Sequence, residues 1–277
     1  MKLTLGFSPC PNDTFIFDAL VNQKIDTEGL EFETVLKDVE ALNEAALSGS
    51  PDISKISYAI LPLLLKDYLL LNSGSALGRG VGPLLIAKHE LNRQATEAAV
   101  VAIPGEHTTA HFLFSMAYPD AKNKIFLRYD EIEAYVLDGK GPGVIIHENR
   151  FTYREKGLSK IADLGEFWET QTGNPIPLGG IVIKRSIDRA IQQTVERLIR
   201  KSLEFAYAAY PQLNNYIKDH AQEMSEDVMR KHIELYVNNY SLTLGMEGKK
   251  AVMKMLEIYG KSGLLMINEQ DIFVSNN

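Results

Sequence analysis

An α/β chain of two like-built halves is the fold class this sequence predicts, and three observations carry it. Short apolar runs bounded by Gly, Pro, Asn and Ser alternate with stretches of helical spacing, giving β-α-β-α order. The pattern restarts at Ala98, where His111-Phe112-Leu113-Phe114 can be laid against Thr14-Phe15-Ile16-Phe17, each behind a strand and a Pro-containing turn. Everything after Lys184 reads as helix, so the chain returns to cover its first half.

Lys2–Phe7 alternates as a strand, with Leu3, Leu5 and Phe7 on one side. The turn Ser8-Pro9-Cys10-Pro11-Asn12 leads into a helix over Asp13–Asn22, with Asn12 or Asp13 as the N-cap. Glu31–Leu36 is a second strand, and Val39–Leu47 an amphipathic helix stopped by Ser48-Gly49-Ser50-Pro51. Asp52–Ser54 begins a short strand, and Lys55-Ile56-Ser57 leads into an apolar helix at Tyr58–Leu65. Strands at Leu69–Leu71 and Val81–Ala87 are separated by a flexible Ser73–Gly82 stretch that contains Arg79.

In the second half the strands are Ala98–Ile103, Lys124–Leu127 and Val144–Ile146, with helices at Ala110–Ala117 and Glu131–Leu137. A helix over Ser159–Thr172 and a strand at Leu178–Ile183 follow. The closing helices are Ile187–Ala209, Ser225–Asn238 and Gly245–Tyr259, and Met and Tyr residues from Met224 to Met266 read as core. Laying Val39-Glu40-Ala41 against Ile132-Glu133-Ala134 puts Lys55–Ser57 and His147 at corresponding strand ends. With crossings at Val81–Ala87 and Leu178–Ile183, lobe I is residues 1–87 plus 184–277 and lobe II is 88–183. The expected architecture is a two-lobed periplasmic-binding-protein-like (type II) hinge fold with its ligand cleft between the lobes.

Composition narrows the function classes. The chain has 277 residues, 45% hydrophobic and 23% charged, as in a folded soluble protein. A net charge of -7 argues against a nucleic-acid surface. The single cysteine, Cys10, rules out an internal disulfide and a multi-cysteine metal site. No run approaches the ~18 apolar residues of a membrane helix, and the amino terminus enters a strand rather than an apolar signal segment. The expectation is a cytoplasmic protein with a small-molecule carboxylate substrate and neither nucleic acid nor membrane as partner. Self-association as a homodimer is left open.

The turn Gly141-Pro142-Gly143 precedes the short strand Val144–Ile146 and then His147, Glu148 and Arg150. Open α/β sheets bind ligands at the carboxyl ends of their strands, and an imidazole can take up a proton near neutral pH. Ser8–Phe15, Ser54–Ala59 and Gly105–Phe112 each put small polar residues at a helix start behind a strand. Such ends offer unpaired N–H donors and suit carboxylates. Asn12, Asp13, Lys55, Ile56, Ser57, Thr108 and Thr109 are the substrate-binding candidates, with Thr108 and Thr109 first for a carboxylate. Lys55 and Arg79 are the cations that could balance its charge. His107 and His111 lack metal-site partners and read as cap or surface residues, and Cys10 as a packed turn thiol. Gly78, Gly80 and Gly82 do not open a helix, which excludes a dinucleotide motif. No cofactor and no metal are expected.

At Ser8-Pro9-Cys10-Pro11-Asn12-Asp13-Thr14-Phe15, the Gly105–Ala110 turn and Ile145–Arg150, the chain resembles the 1,4-dihydroxy-6-naphthoate synthase family of the futalosine route to menaquinone. The resemblance spans the whole chain. It implies a carbon–carbon lyase that cleaves cyclic dehypoxanthine futalosine, with His147 as the proton acceptor and Lys55–Ser57 and Thr108-Thr109 contacting substrate. The competing readings are chorismate dehydratase of the same pathway and a non-catalytic small-anion binding protein.

Overall fold

Strand order explains why the two halves of the chain look alike. The computed structural model describes residues 1–222, 225–260 and 272–275. It contains two compact units, residues 1–78 with 177–277, and residues 79–176. In chain order the first unit opens with β1 (Lys2–Phe7), α1 (Pro11–Val21), β2 (Glu31–Leu36), α2 (Val39–Leu47) and β3 (Ile53–Ser57). A 3₁₀ turn at Tyr58–Ile60 then leads to α3 (Leu61–Leu64), β4 (Tyr68–Leu70) and β5 (Ala76–Gly78). The second unit holds β6 (Leu84–Ala87), α4 (Arg93–Ala98), β7 (Val101–Ile103), α5 (Thr109–Ala117), β8 (Lys124–Phe126), α6 (Ile132–Leu137), β9 (Gly143–Ile145), α7 (Asn149–Thr152), β10 (Ser159–Asp163) and α8 (Leu164–Thr172). The chain then re-enters the first unit as β11 (Ile176–Lys184). It continues through α9 (Arg189–Ala209), α10 (Asn215–His220), α11 (Glu226–Tyr236), α12 (Asn239–Leu242) and α13 (Gly245–Gly260).

The first sheet runs β2-β1-β3-β11-β4, with β5 added on β11; the second runs β10-β6-β9-β7-β8. Read from opposite ends, the two orders are the same. Three parallel strands come first: β1 pairs with β2 and β3, as β7 pairs with β8 and β9. An antiparallel strand then lies beside the third, β11 on β3 and β6 on β9. The chain enters the second unit by its antiparallel strand β6 and re-enters the first by its antiparallel strand β11. The expected boundaries followed residues 87 and 183. Pairing sets them earlier, because all of β6 belongs to the second sheet and nearly all of β11 to the first.

Local chemistry accounts for most elements. Asp38 caps α2 through the N–H groups of Glu40 and Ala41, and Gly173 ends α8 with φ +69°. The buried stripe of α9, Val195, Leu198, Ile199, Ser202 and Leu203, packs on Phe15, Ile16 and Leu20. Ser202 donates to the Ile16 carbonyl at 2.6 Å and accepts from the Leu20 N–H at 3.2 Å, which fixes α9 to α1. The second unit has its own core of Leu84, Ile86, Ala102, Ile132, Val136, Ile145, Tyr153 and Leu158.

Four expectations change. Helix α1 starts at Pro11 with Cys10 in the N-cap place, because proline suits the first helical position, where no N–H is needed. Ser159–Asp163 is a strand rather than a helix start, and it covers the edge of β6. Ser73–Gly82 is not wholly an open connector: Ser73, Ser75, Ala76 and Leu77 are buried, and β5 lies within it. Of the methionines expected in the core, Met229 and Met255 are buried but Met246 is 91% exposed. Met224 and Met266 lie outside the described residues.

Candidate functional site

In each unit the strand order reverses between two neighbouring parallel strands, β1 and β3 in the first, β7 and β9 in the second. The loops leaving such a pair diverge and open a crevice at the carboxyl ends, where α/β sheets bind ligands. All the sequence-predicted residues but Arg79 fall at these two places.

At the first, the turn after β1 and the end of β3 bring Asn12, Asp13 and Lys55 into contact. The buried Asp13 carboxylate accepts from the Ser8 N–H (3.1 Å), the Ser8 hydroxyl (2.8 Å) and the Asn12 amide (2.9 Å). Lys55 Nζ lies 3.2 Å from Asp13 and donates to the Gly74 carbonyl at 2.7 Å. Asp13 therefore takes the negative place at the start of α1, and Lys55 balances it. Both side chains are held inside the protein, so the ammonium is turned to Asp13 rather than outward. Ser57 N–H donates to Asn43 Oδ1 (2.8 Å), and Asn43 Nδ2 donates back to Ser57 Oγ (3.0 Å). Ile56 is wholly buried. Tyr58 hydrogen-bonds Ser75 at 2.7 Å, and burial pushes its phenol well above the usual range despite that bond.

His232 and Asn43 are the residues that sequence reasoning missed here. His232, fully buried on α11, lies 2.9 Å from Asn12 Oδ1. Since the Asn12 amide nitrogen serves Asp13, its oxygen faces the imidazole, so His232 donates from Nε2. The signal was present: Met229, His232, Ile233 and Tyr236 form one helical stripe, and a histidine in an apolar stripe needs a buried partner. Asn43 likewise shares the stripe of Leu42 and Ala46. Replacing His232 by Leu deprives Asn12 of its donor and is expected to cost about 1–3 kcal/mol of stability. Denaturant unfolding measures it; an unchanged midpoint would show the bond to be idle.

At the second place, Ala102 on β7 pairs with Gly143 on β9, so the loops at 104–108 and 146–150 leave adjacent strands. Thr108 caps α5, accepting from the His111 N–H (3.2 Å) and donating to the Gly105 carbonyl (3.0 Å). Thr109, also buried, is the first residue of α5. His147 follows β9 with φ +56° and has the Tyr129 ring against its own in an edge contact, centroids 4.8 Å apart. His147 and Thr108-Thr109 thus sit on neighbouring strand ends. Arg79 is half-exposed and donates to the Gly173 carbonyl at the end of α8 (3.1 Å). His111 is engaged by the Glu106 carbonyl (2.7 Å) and Lys124 (3.2 Å), and burial, with Lys122 adding to it, lowers the Lys124 pKa. Among the described residues no helix is long and apolar enough to cross a membrane.

Solved structures agree with the fold. A protein from Archaeoglobus fulgidus, AF1704, is 30% identical with TM-score 0.89, covering 95% of this chain and 98% of its own. The alkanesulfonate-binding protein SsuA of Xanthomonas axonopodis pv. citri, at 14% identity, has TM-score 0.70 over 99% of this chain and 96% of its own. The fold is therefore periplasmic-binding-protein-like. A relative named 1,4-dihydroxy-6-naphtoate synthase from Thermus thermophilus is 43% identical over 98% of this chain and 99% of its own length. A second relative of that name, from Streptomyces coelicolor, is 39% identical over 95% and 94%. The family model described as menaquinone biosynthesis matches residues 3–261. With strand order, motifs and these relatives in agreement, the chain belongs to the 1,4-dihydroxy-6-naphthoate synthase family of menaquinone-biosynthesis enzymes.

Proposed function

We propose that the chain cleaves a carbon–carbon bond of cyclic dehypoxanthine futalosine, releasing 1,4-dihydroxy-6-naphthoate and a small sugar-derived fragment, with His147 as general base. The observation that carries this reading is the placement of His147 and Thr108-Thr109 on adjacent strand ends at the strand-order reversal of the second unit. The substrate's carboxylate suits the start of α5, whose N–H groups and dipole favour an anion. Removing a hydroxyl or carbon-bound proton requires a base, and the oxyanion or enolate that develops requires hydrogen-bond donors. An imidazole and backbone amides supply both, so the reading asks for no cofactor. Within the first unit, Asn12, Asp13, Lys55 and Ser57 hold the loops after β1 and β3 in one shape.

The test is incubation of the protein with cyclic dehypoxanthine futalosine, with chorismate in a parallel arm, while the naphthoate chromophore is followed. Naphthoate is expected in the first arm. Turnover of chorismate alone would make the chain a dehydratase, and binding without turnover in either arm would make it an anion-binding protein.

A further inference from the structure

The turn that carries His147 needs an anchor. A histidine with φ +56° occupies the left-handed region, which is unfavourable for a residue with a Cβ. Such a conformation persists only where the surroundings over-determine it. On the amino-terminal side the sheet holds β9. On the carboxyl side α7 is a single turn of four residues, with bonds from the Arg150 N–H to the His147 carbonyl at 3.3 Å and from the Phe151 N–H to the Glu148 carbonyl at 2.9 Å, all of them local. The side chain of Arg150 ties this turn to distant segments. Its guanidinium donates to the Gly82 carbonyl, to the Gly80 carbonyl at 2.8 Å and to Asp163 Oδ2 at 3.0 Å. Arginine and aspartate side chains are 15% and 12% exposed, so the pair is little screened. Asp163 is itself fixed, because its other oxygen caps α8 through the Gly165 and Glu166 N–H groups at 2.9 and 3.2 Å.

We propose that Arg150 is a positioning residue: by gripping Gly80, Gly82 and Asp163 it holds the turn in which His147 adopts its left-handed backbone. The planar fork reaches acceptors on two separate segments, a geometry that lysine cannot reproduce. Arg150 thereby acts on the imidazole three residues away, and a base displaced by about 1 Å can lose ~10²-fold in rate. The proposal rests on the reading of His147 as base, and the experiment separates the two.

Steady-state kinetics on cyclic dehypoxanthine futalosine are measured for Arg150→Gln, His147→Asn and the double variant. Arg150→Gln is expected to lower kcat by about 10–100-fold with little change in KM, and to have no further effect once His147 is asparagine. Equal losses in both backgrounds would mean that Arg150 acts independently of His147 and would overturn the proposal. So would a raised KM at unchanged kcat, which marks a substrate-binding cation, or unchanged kinetics. Near-normal turnover by His147→Asn alone brings down the base assignment, and the proposal with it. Should Arg150→Gln be unfolded at the assay temperature, Arg150→Lys in the same cycle decides by the same outcomes.

Discussion

Replacing His147 by asparagine lowers kcat by about 10²–10⁴-fold, the range that a general base contributes, and leaves KM within a few-fold of the native value. Asparagine is the informative choice because it tolerates the left-handed region, so the backbone at φ +56° is kept while the proposed base is lost. Alanine removes the base too but adds conformational cost, and comparison of the two variants divides chemistry from strain. On the proposed reading the loss belongs in kcat, because binding of the carboxylate is assigned to Thr108 and Thr109 on the neighbouring strand end. Single-turnover assays with product detection measure the effect. Turnover near the native level in the asparagine variant would remove His147 from the reaction.

Replacing Gly82 by alanine destabilises the protein by about 3 kcal/mol or more, at the upper end of what overpacking costs. A Cβ on Gly82 would lie 2.2 Å from the Gly165 Cα and 2.3 Å from its nitrogen. Both are backbone atoms, and neither side has a flexible group that can yield. The surrounding chain is pinned as well, by the Leu164 N–H on the Pro83 carbonyl at 2.9 Å and by Arg150 on the Gly82 carbonyl. Gly80 is the control. It has φ +68° but nothing within 4 Å of its would-be Cβ, so Gly80→Ala bears only the left-handed penalty of about 1–2 kcal/mol. Thermal denaturation of the two variants ranks them. Equal losses would mean that the 82/165 contact loosens without cost.

The glycines around Arg79 show how far a sequence reading reaches. They open no helix, which excludes a dinucleotide loop, but nothing local says that Gly82 exists to let the start of α8 approach. That contact joins residues far apart in the chain, and its reason lies in the partner backbone. Lys55 is similar. As a letter it is a spare cation for an acidic ligand; in the fold, Asp13 and the Gly74 carbonyl take it up. His232 and Asn43 were legible only as polar residues in apolar stripes. Their partners, Asn12 and Ser57, come from other elements.

What the amino-acid sequence determined by itself was whatever is written in short-range periodicity and turn chemistry. The β-α-β-α order, the restart at Ala98, the strand end before His147 and the polar turn before α5 all depend on neighbours within a few residues. Tertiary structure decided which strands lie side by side, and so that Thr108 and His147 leave adjacent ones. It also decided the edge strand Ser159–Asp163, the engagement of Lys55, and the clamp from Arg150 to Gly80, Gly82 and Asp163. Those depend on hydrogen bonds and close backbone approaches between distant segments, which acquire their partners only when the chain has folded.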